Sequence, residues 1–135
     1  MKVKVLVKDQ YVILVTMKGN SCPIEESSLA RDYKRDFEGL LDMLQRAAQS
    51  GFHQFSSAQS HEINKNPKIL EFIRGRLRLI YFHGQGKDIV VCTELFLKKT
   101  KKVPRALVEK AIKVNNAYLK SCQENTLEVM DEEDN

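Results

Sequence analysis

Arg74, Arg76 and Arg78 recur at two-residue intervals, and downstream Lys98, Lys99, Lys101 and Lys102 crowd together just ahead of Arg105. A guanidinium keeps its proton at any ordinary pH and holds a phosphate through two parallel hydrogen bonds, whereas an ammonium acts as a compact point charge. Both types suit a polyanion. On a strand, the two-residue spacing turns Arg76 and Arg78 to the same side and lines one sheet face with positive charge. The competing reading of the same residues is a half-exposed strand with solvated arginines, with lysines guarding a strand end against edge pairing.

The distribution of charge weighs towards the polyanion. Residues 1–64 hold eight Lys/Arg and eight Asp/Glu, residues 65–123 hold fourteen and four, and residues 124–135 hold six acids and no base. The overall +4 therefore conceals a basic half at +10 and an acidic end at −6. A basic stretch of this density is an electrostatic footprint for nucleic acid, because each neutralised phosphate releases condensed counterions. With 135 residues the chain has the size of one domain able to bury a core without disulfides or metal. Cys22, Cys92 and Cys122 are widely spaced and form no C-x-x-C pair, so a reduced cytoplasmic protein is expected. No apolar run reaches the length of a membrane span, and Met1-Lys2-Val3-Lys4 opens no signal-peptide pattern.

The elements that position these cations can be read from periodicity. Tyr11 to Val15 reads as a buried strand closed by Gly19-Asn20, and the alternation of Val3, Val5 and Val7 makes the start either part of that strand or its hairpin partner. Pro23 opens a short helix to about Leu29. A longer helix carries Leu29, Tyr33, Phe37, Leu40, Leu41, Leu44 and Ala48 on one stripe and is capped by Gly51. Residues 52–65 are polar and read as a loop. Ile69 to Phe82 reads as a strand pair or bent strand, with Arg76, Arg78, Ile80 and Phe82 on one side and Leu77, Leu79 and Tyr81 on the other. A glycine turn, His83 to Lys87, leads into Asp88 to Leu97, whose near-continuous apolar character predicts a strand covered on both faces. Pro104 opens a last helix with Leu107, Val108, Ala111, Val114 and Tyr118 on one stripe. The acidic end has too few apolar residues to offset its ordering entropy and is expected to be mobile.

From Pro67 onward the motifs fall into a definite order: Leu70-Glu71-Phe72, then Arg74 to Phe82, the glycine turn, the apolar strand, Phe96-Leu97-Lys98-Lys99-Thr100-Lys101-Lys102-Val103-Pro104, and a helix ending in Ala117-Tyr118-Leu119. This order resembles the phage-associated branch of the RelE/HigB toxin family, in which an E-(L/F)-R element, an R-x-x-Y-F strand and a K-K-T-x-K-x-P junction to a closing helix follow one another. The resemblance spans roughly Pro67 to Leu119, and residues 20–51 resemble the family's N-terminal helix pair in pattern. It implies an α+β, RelE-like fold: an N-terminal strand and helices followed by a small antiparallel sheet and a C-terminal helix. The domain is expected over 1–123, with 124–135 as an acidic tail.

The same resemblance implies the toxin of a type II toxin–antitoxin system, a metal-independent endoribonuclease without cofactor that cuts ribosome-bound messenger RNA and so inhibits translation. Its expected partners are that message and a cognate antitoxin of helix-turn-helix type. The implied reaction is attack of an RNA 2′-hydroxyl on the adjacent phosphodiester. It calls for cations around a phosphorane-like transition state, an acceptor for the 2′-proton and a donor for the leaving 5′-oxygen. Arg78, with Arg74 or Arg76, is the expected phosphate clamp. Lys98 and Lys99 emerge from the neighbouring strand near enough to face the same phosphate, and Lys87, Lys101, Lys102 and Arg105 are expected RNA contacts.

For proton transfer the candidates are Lys98, Lys99, Tyr81, His83 and Glu94, and the sequence does not choose among them. His83 titrates in the right range but lies in a glycine turn, Tyr81 alternates with Leu77 and Leu79 as a core residue does, and Glu94 shares strand parity with Lys98 and could be its ion-pair partner. His53 and His61, in the polar loop, receive no role. Two alternatives accompany the nuclease: a ParE-like protein that binds and blocks DNA gyrase, and an inactive mobile-element relative. Basic residues gathered on the sheet favour the nuclease. Asp131 to Asp134 are expected to fold over the basic face and weaken nonspecific RNA binding.

Overall fold

The computed structural model describes residues 1–86 and 88–131. Valines alternating with lysines make the first strand, β1 (Lys2–Lys8), which pairs antiparallel with the apolar β2 (Val12–Thr16). Helices α1 (Ser28–Asp32) and α2 (Lys34–Ser50) follow. Then come four strands, β3 (Ser60–Asn64), β4 (Ile69–Arg74), β5 (Leu77–His83) and β6 (Ile89–Leu97), each antiparallel to the one before it. Helix α3 (Arg105–Gln123) and a short strand β7 (Glu128–Met130) complete the described chain.

All seven strands belong to one mixed sheet, in the order β3-β4-β5-β6-β2-β1-β7. This overturns the small antiparallel sheet of the expected RelE-like layout. The reason lies in β6: its side chains are buried on both faces, which places it inside the sheet, and there its backbone N–H and C=O groups need a strand along each edge. β5 takes one edge, and β2 takes the other in parallel, with Val12 to Val15 against Ile89 to Cys92. That single pairing merges the N-terminal hairpin with the downstream strands. The sheet is extended at one margin by β3 and at the other by β7, which lies parallel to β1.

Helices cover both faces. The stripe Leu40, Met43, Leu44, Ala47 and Ala48 of α2 packs on Ile13, Val15, Phe72, Leu77, Leu79, Tyr81, Val90 and Cys92. On the opposite face Ala111 and Tyr118 of α3 pack on Val3, Leu14, Ile69, Ile80, Phe82, Val91 and Phe96. Tyr118 also anchors α3 to the β5–β6 turn, accepting a hydrogen bond from the Gln85 amide at 3.1 Å and crossing the Phe82 ring edge-on at 5.6 Å. The expected alternation of β5 holds: Leu77, Leu79 and Tyr81 face α2, and Ile80 and Phe82 face α3.

Three local expectations are revised. The long helix is interrupted at Tyr33, whose backbone (φ −118°, ψ 47°) leaves the helical region, and the short helix begins at Ser28 after Ser27 caps the Leu29 amide at 3.1 Å. The polar segment contributes β3, because an edge strand is held by backbone hydrogen bonds and needs no apolar composition. The acidic end contributes β7, and Asp131 reaches Lys8 of β1 at 3.4 Å, on the margin of the sheet away from β3 to β5. Residues 132–134, the rest of the segment expected over the basic face, lie outside the described residues.

Candidate nucleic-acid site

Strand register assembles the site on the α3 face. His61 of β3 stands opposite Glu71 of β4, and Arg78 of β5 stands opposite Phe96 of β6. Glu71 lies across from Ile80, two residues from Arg78, so His61, Glu71, Arg78, Phe96 and Lys98 share one side of the pleat. Past β6 the chain leaves the sheet, although the Lys98 amide still bonds the Arg76 carbonyl at 2.8 Å. Thr100 Oγ1 then donates to the Lys102 carbonyl at 2.7 Å, curling the K-K-T-K-K run before Pro104 opens α3. The result is a cleft of about 520 Å³ between the sheet and the start of α3, with His61, Glu71 and Arg78 on its wall and Lys98 to Lys102 and Arg105 around it.

Arg78 is held rather than solvated, with only 7% of its surface exposed. Its Nη1 donates to the carbonyls of Gly75 at 2.7 Å and Leu77 at 3.0 Å, and its Nε lies 3.9 Å from Glu71 Oε1. Gly75 makes this possible by turning β4 into β5 at φ 57°, a left-handed backbone that glycine adopts without strain. Burial pulls the guanidinium below its ordinary value, and the neighbouring Glu71 carboxylate opposes that shift.

Glu71 is more deeply buried still, 3% exposed. Burial raises its carboxyl above the ordinary glutamate range, against the opposing pull of His61, Arg78 and Lys98. His61 Nε2 is 3.0 Å from Glu71 Oε1, and His61 Nδ1 is 3.1 Å from the Ser57 carbonyl. A carbonyl only accepts, so Nδ1 carries a hydrogen. The Nε2–Oε1 contact then requires a proton of its own, on the imidazole or on the carboxyl. In either form the Glu71–His61 pair is neutral and holds one exchangeable proton, leaving the cleft's positive charge uncancelled.

Two atoms in this wall lack a hydrogen-bond partner although both are buried: Glu71 Oε2 and Arg78 Nε. Each unmade bond costs about 1–3 kcal/mol.

The cleft gathers Arg78, Lys98, Lys99, Lys101, Lys102 and Arg105 from among the residues singled out in sequence. Arg76 is next door, lining a shallow depression with Lys98 to Lys101. Arg74 is not part of the cleft: it pairs across from Leu77, on the α2 face, and its side chain lies over Gly39 of α2. Lys87 lies outside the described residues. Tyr81 also faces α2, stacked on Phe72 at 4.4 Å with its hydroxyl 2.6 Å from Ser60 Oγ, and burial pushes its phenol up to about 12. His83 is exposed at the end of β5 and meets the Phe52 ring edge-on at 5.1 Å, where partial desolvation and Lys68 pull its imidazole below the ordinary value. Glu94 bonds Lys110 of α3 at 2.9 Å, so its ion-pair partner is that lysine and not Lys98.

No protein-family model matches the chain, and neither does any curated protein. What the cleft can do follows from its own atoms. Sequence reasoning passed over its two proton-sharing residues. A signal for Glu71 was available, since it is a lone carboxylate within Ile69-Leu70-Glu71-Phe72-Ile73, on the parity of Ile69 and Ile73. His61 had none, because only the β3–β4 register brings it to Glu71. The assembled set comprises a fixed guanidinium, a ring of lysine ammonium groups and a neutral pair with one proton to exchange. It can bind a phosphodiester, stabilise added negative charge on it and exchange a proton beside it.

Proposed function

We propose that the chain is a cytoplasmic endoribonuclease toxin that cuts messenger RNA at the ribosome, without metal or cofactor, and is neutralised by a cognate antitoxin. The observation that carries this reading is the convergence of Arg78, Lys98 and Lys99 with the Glu71–His61 pair on one cleft. The motif order from Pro67 to Leu119, similar to that of RelE/HigB toxins, supports it as well, through many of the same residues. In this reaction the 2′-oxygen attacks phosphorus, the bond to the 5′-oxygen breaks, and the products are a 2′,3′-cyclic phosphate and a 5′-hydroxyl. Arg78 and Lys98 stabilise the charge that develops on the phosphorane oxygens. The Glu71–His61 pair takes part in proton transfer, in place of Tyr81, His83 and Glu94, none of which lines the cleft.

The test is induced expression in a bacterial host of the wild type beside an Arg78→Ala, Lys98→Ala, Lys99→Ala variant, following growth and mapping 5′ ends of cellular messages. Growth arrest with new cleavage sites inside translated regions, absent in the variant, is expected. Arrest with intact messages would point instead to a gyrase-binding poison, and no arrest from a folded wild type to an inactive relative.

A further inference from the structure

Residues 56–61 belong to neither core, yet they are tied into one arrangement that ends on His61. Ser56-Ser57-Ala58-Gln59 has the S-x-x-Q spacing of a capping box. Gln59 Oε1 reaches back to accept the Ser56 amide at 3.0 Å and the Ser56 hydroxyl at 3.3 Å, while the Ser56 carbonyl accepts the amides of Gln59 at 3.0 Å and Ser60 at 2.9 Å. These bonds close a single helical turn. Its end is fastened to the sheet twice: the Gln59 carbonyl accepts the Ile73 amide at 2.8 Å, and Ser60 Oγ meets the Tyr81 hydroxyl at 2.6 Å.

A carbonyl in a helical turn points along the axis towards the residue four positions on. For Ser57 that residue is His61. The chain has by then straightened into β3, and the His61 ring presents Nδ1 to the carbonyl at 3.1 Å. That bond decides how many protons the pair holds. An imidazole free to choose could carry its hydrogen on Nε2, donate it to Glu71 Oε1 and leave the pair with the carboxylate's negative charge. With Nδ1 bound to a carbonyl, the 3.0 Å contact between Nε2 and Oε1 requires a further proton, and the pair is neutral. The turn therefore controls a unit of charge, and a proton to exchange, on the wall that Arg78 and Lys98 also face.

We infer that Gln59 is a positioning residue for the shared proton: by closing the turn it fixes the Ser57 carbonyl on His61 Nδ1, commits Nε2 to Glu71 and so keeps a proton in the pair. The inference rests on the nuclease reading only for what that proton does to RNA.

The test is the ring-nitrogen NMR shifts of His61 in the full chain from acid to alkaline pH, without RNA, for the wild type, Gln59→Ala and Gln59→Glu, followed by RNA cleavage over the same range. Gln59 is half-exposed and outside both cores, so both variants are expected to fold. In the wild type Nδ1 is expected to keep its hydrogen throughout. Gln59→Ala is expected to divide the hydrogen between the two nitrogens at neutral and alkaline pH. It is also expected to change the pH profile of cleavage and lower its rate about tenfold, part of what a positioned proton donor contributes, with RNA affinity held within a few-fold. Gln59→Glu offers Ser56 the same acceptor and is expected to restore the wild-type shifts. A wild type whose Nδ1 lacks a hydrogen at neutral pH, or Gln59→Ala shifts identical to the wild type's, would overturn the inference, and RNA cut by such a protein would leave the nuclease standing. Redistribution of the hydrogen in a protein that leaves RNA intact would sink the nuclease and spare the turn.

Discussion

The two faces of the β4–β5 hairpin are both largely buried and differently finished. Beneath α2, Phe72, Leu77, Leu79 and Tyr81 pack without loose ends, and the one polar atom among them, the Tyr81 hydroxyl, meets Ser60 Oγ at 2.6 Å. Beneath α3, Glu71 and Arg78 sit among Ile69, Ile80 and Phe82 with Oε2 and Nε unpartnered. A satisfied buried polar group serves packing. An unsatisfied one is held at a cost in stability that packing alone does not explain.

The sharpest way to break this comparison is to damage each face in turn. Phe72→Ala, on the closed face, is expected to cost about 3–5 kcal/mol of stability by urea denaturation, with cleavage per folded molecule retained. Arg78→Ala, on the open face, is expected to lower RNA cleavage by on the order of 10²-fold or more, as removal of a fixed electrostatic donor does. Arg78→Lys is expected to recover only part of it, because a lysine cannot span two carbonyls and a phosphate. If Phe72→Ala and Arg78→Ala changed stability and cleavage alike, the division between the faces would fail.

Acidity separates the faces further. Glu71 has a raised carboxyl in the fold, so the fold favours its protonated form. The stability this contributes is complete below the ordinary glutamate value near 4.5 and declines as pH rises through the raised one. Glu71→Gln is expected to flatten that decline in a series of thermal melts from acid to neutral pH, and an unchanged profile would show that the carboxyl is not the group responsible.

Smaller effects are expected at the rim. Single Lys99→Ala and Lys101→Ala variants are expected to weaken RNA binding a few-fold and to reduce the slope of log affinity against log salt by about one each. Tyr81→Phe is expected to cost about 1 kcal/mol of stability for the lost Ser60 hydrogen bond and to leave that slope untouched.

Much of this division was legible in the residues themselves. The alternation from Arg76 to Phe82 told which side chains share a face, and the near-continuous apolar run of β6 told that it is covered on both sides. The stripes of α2 and α3 told which side of each helix meets the sheet, though not that Met43, Ala47 and Asn115 are buried with them, and the charge count told where the cations concentrate. These are local properties: backbone geometry sets the direction of each side chain, so burial leaves a period in the sequence.

Which strands flank β6, how Ser60–Asn64 joins the margin and so sets His61 opposite Glu71, where the helix breaks at Tyr33, and how the acidic end reaches β1 were decided only in the tertiary structure. Strands pair through N–H and C=O groups that are the same in every residue but proline, so an edge strand such as β3 carries no mark of its partner. The cations of the site were therefore visible from the start, whereas the carboxylate and imidazole that share its proton came together only with the fold.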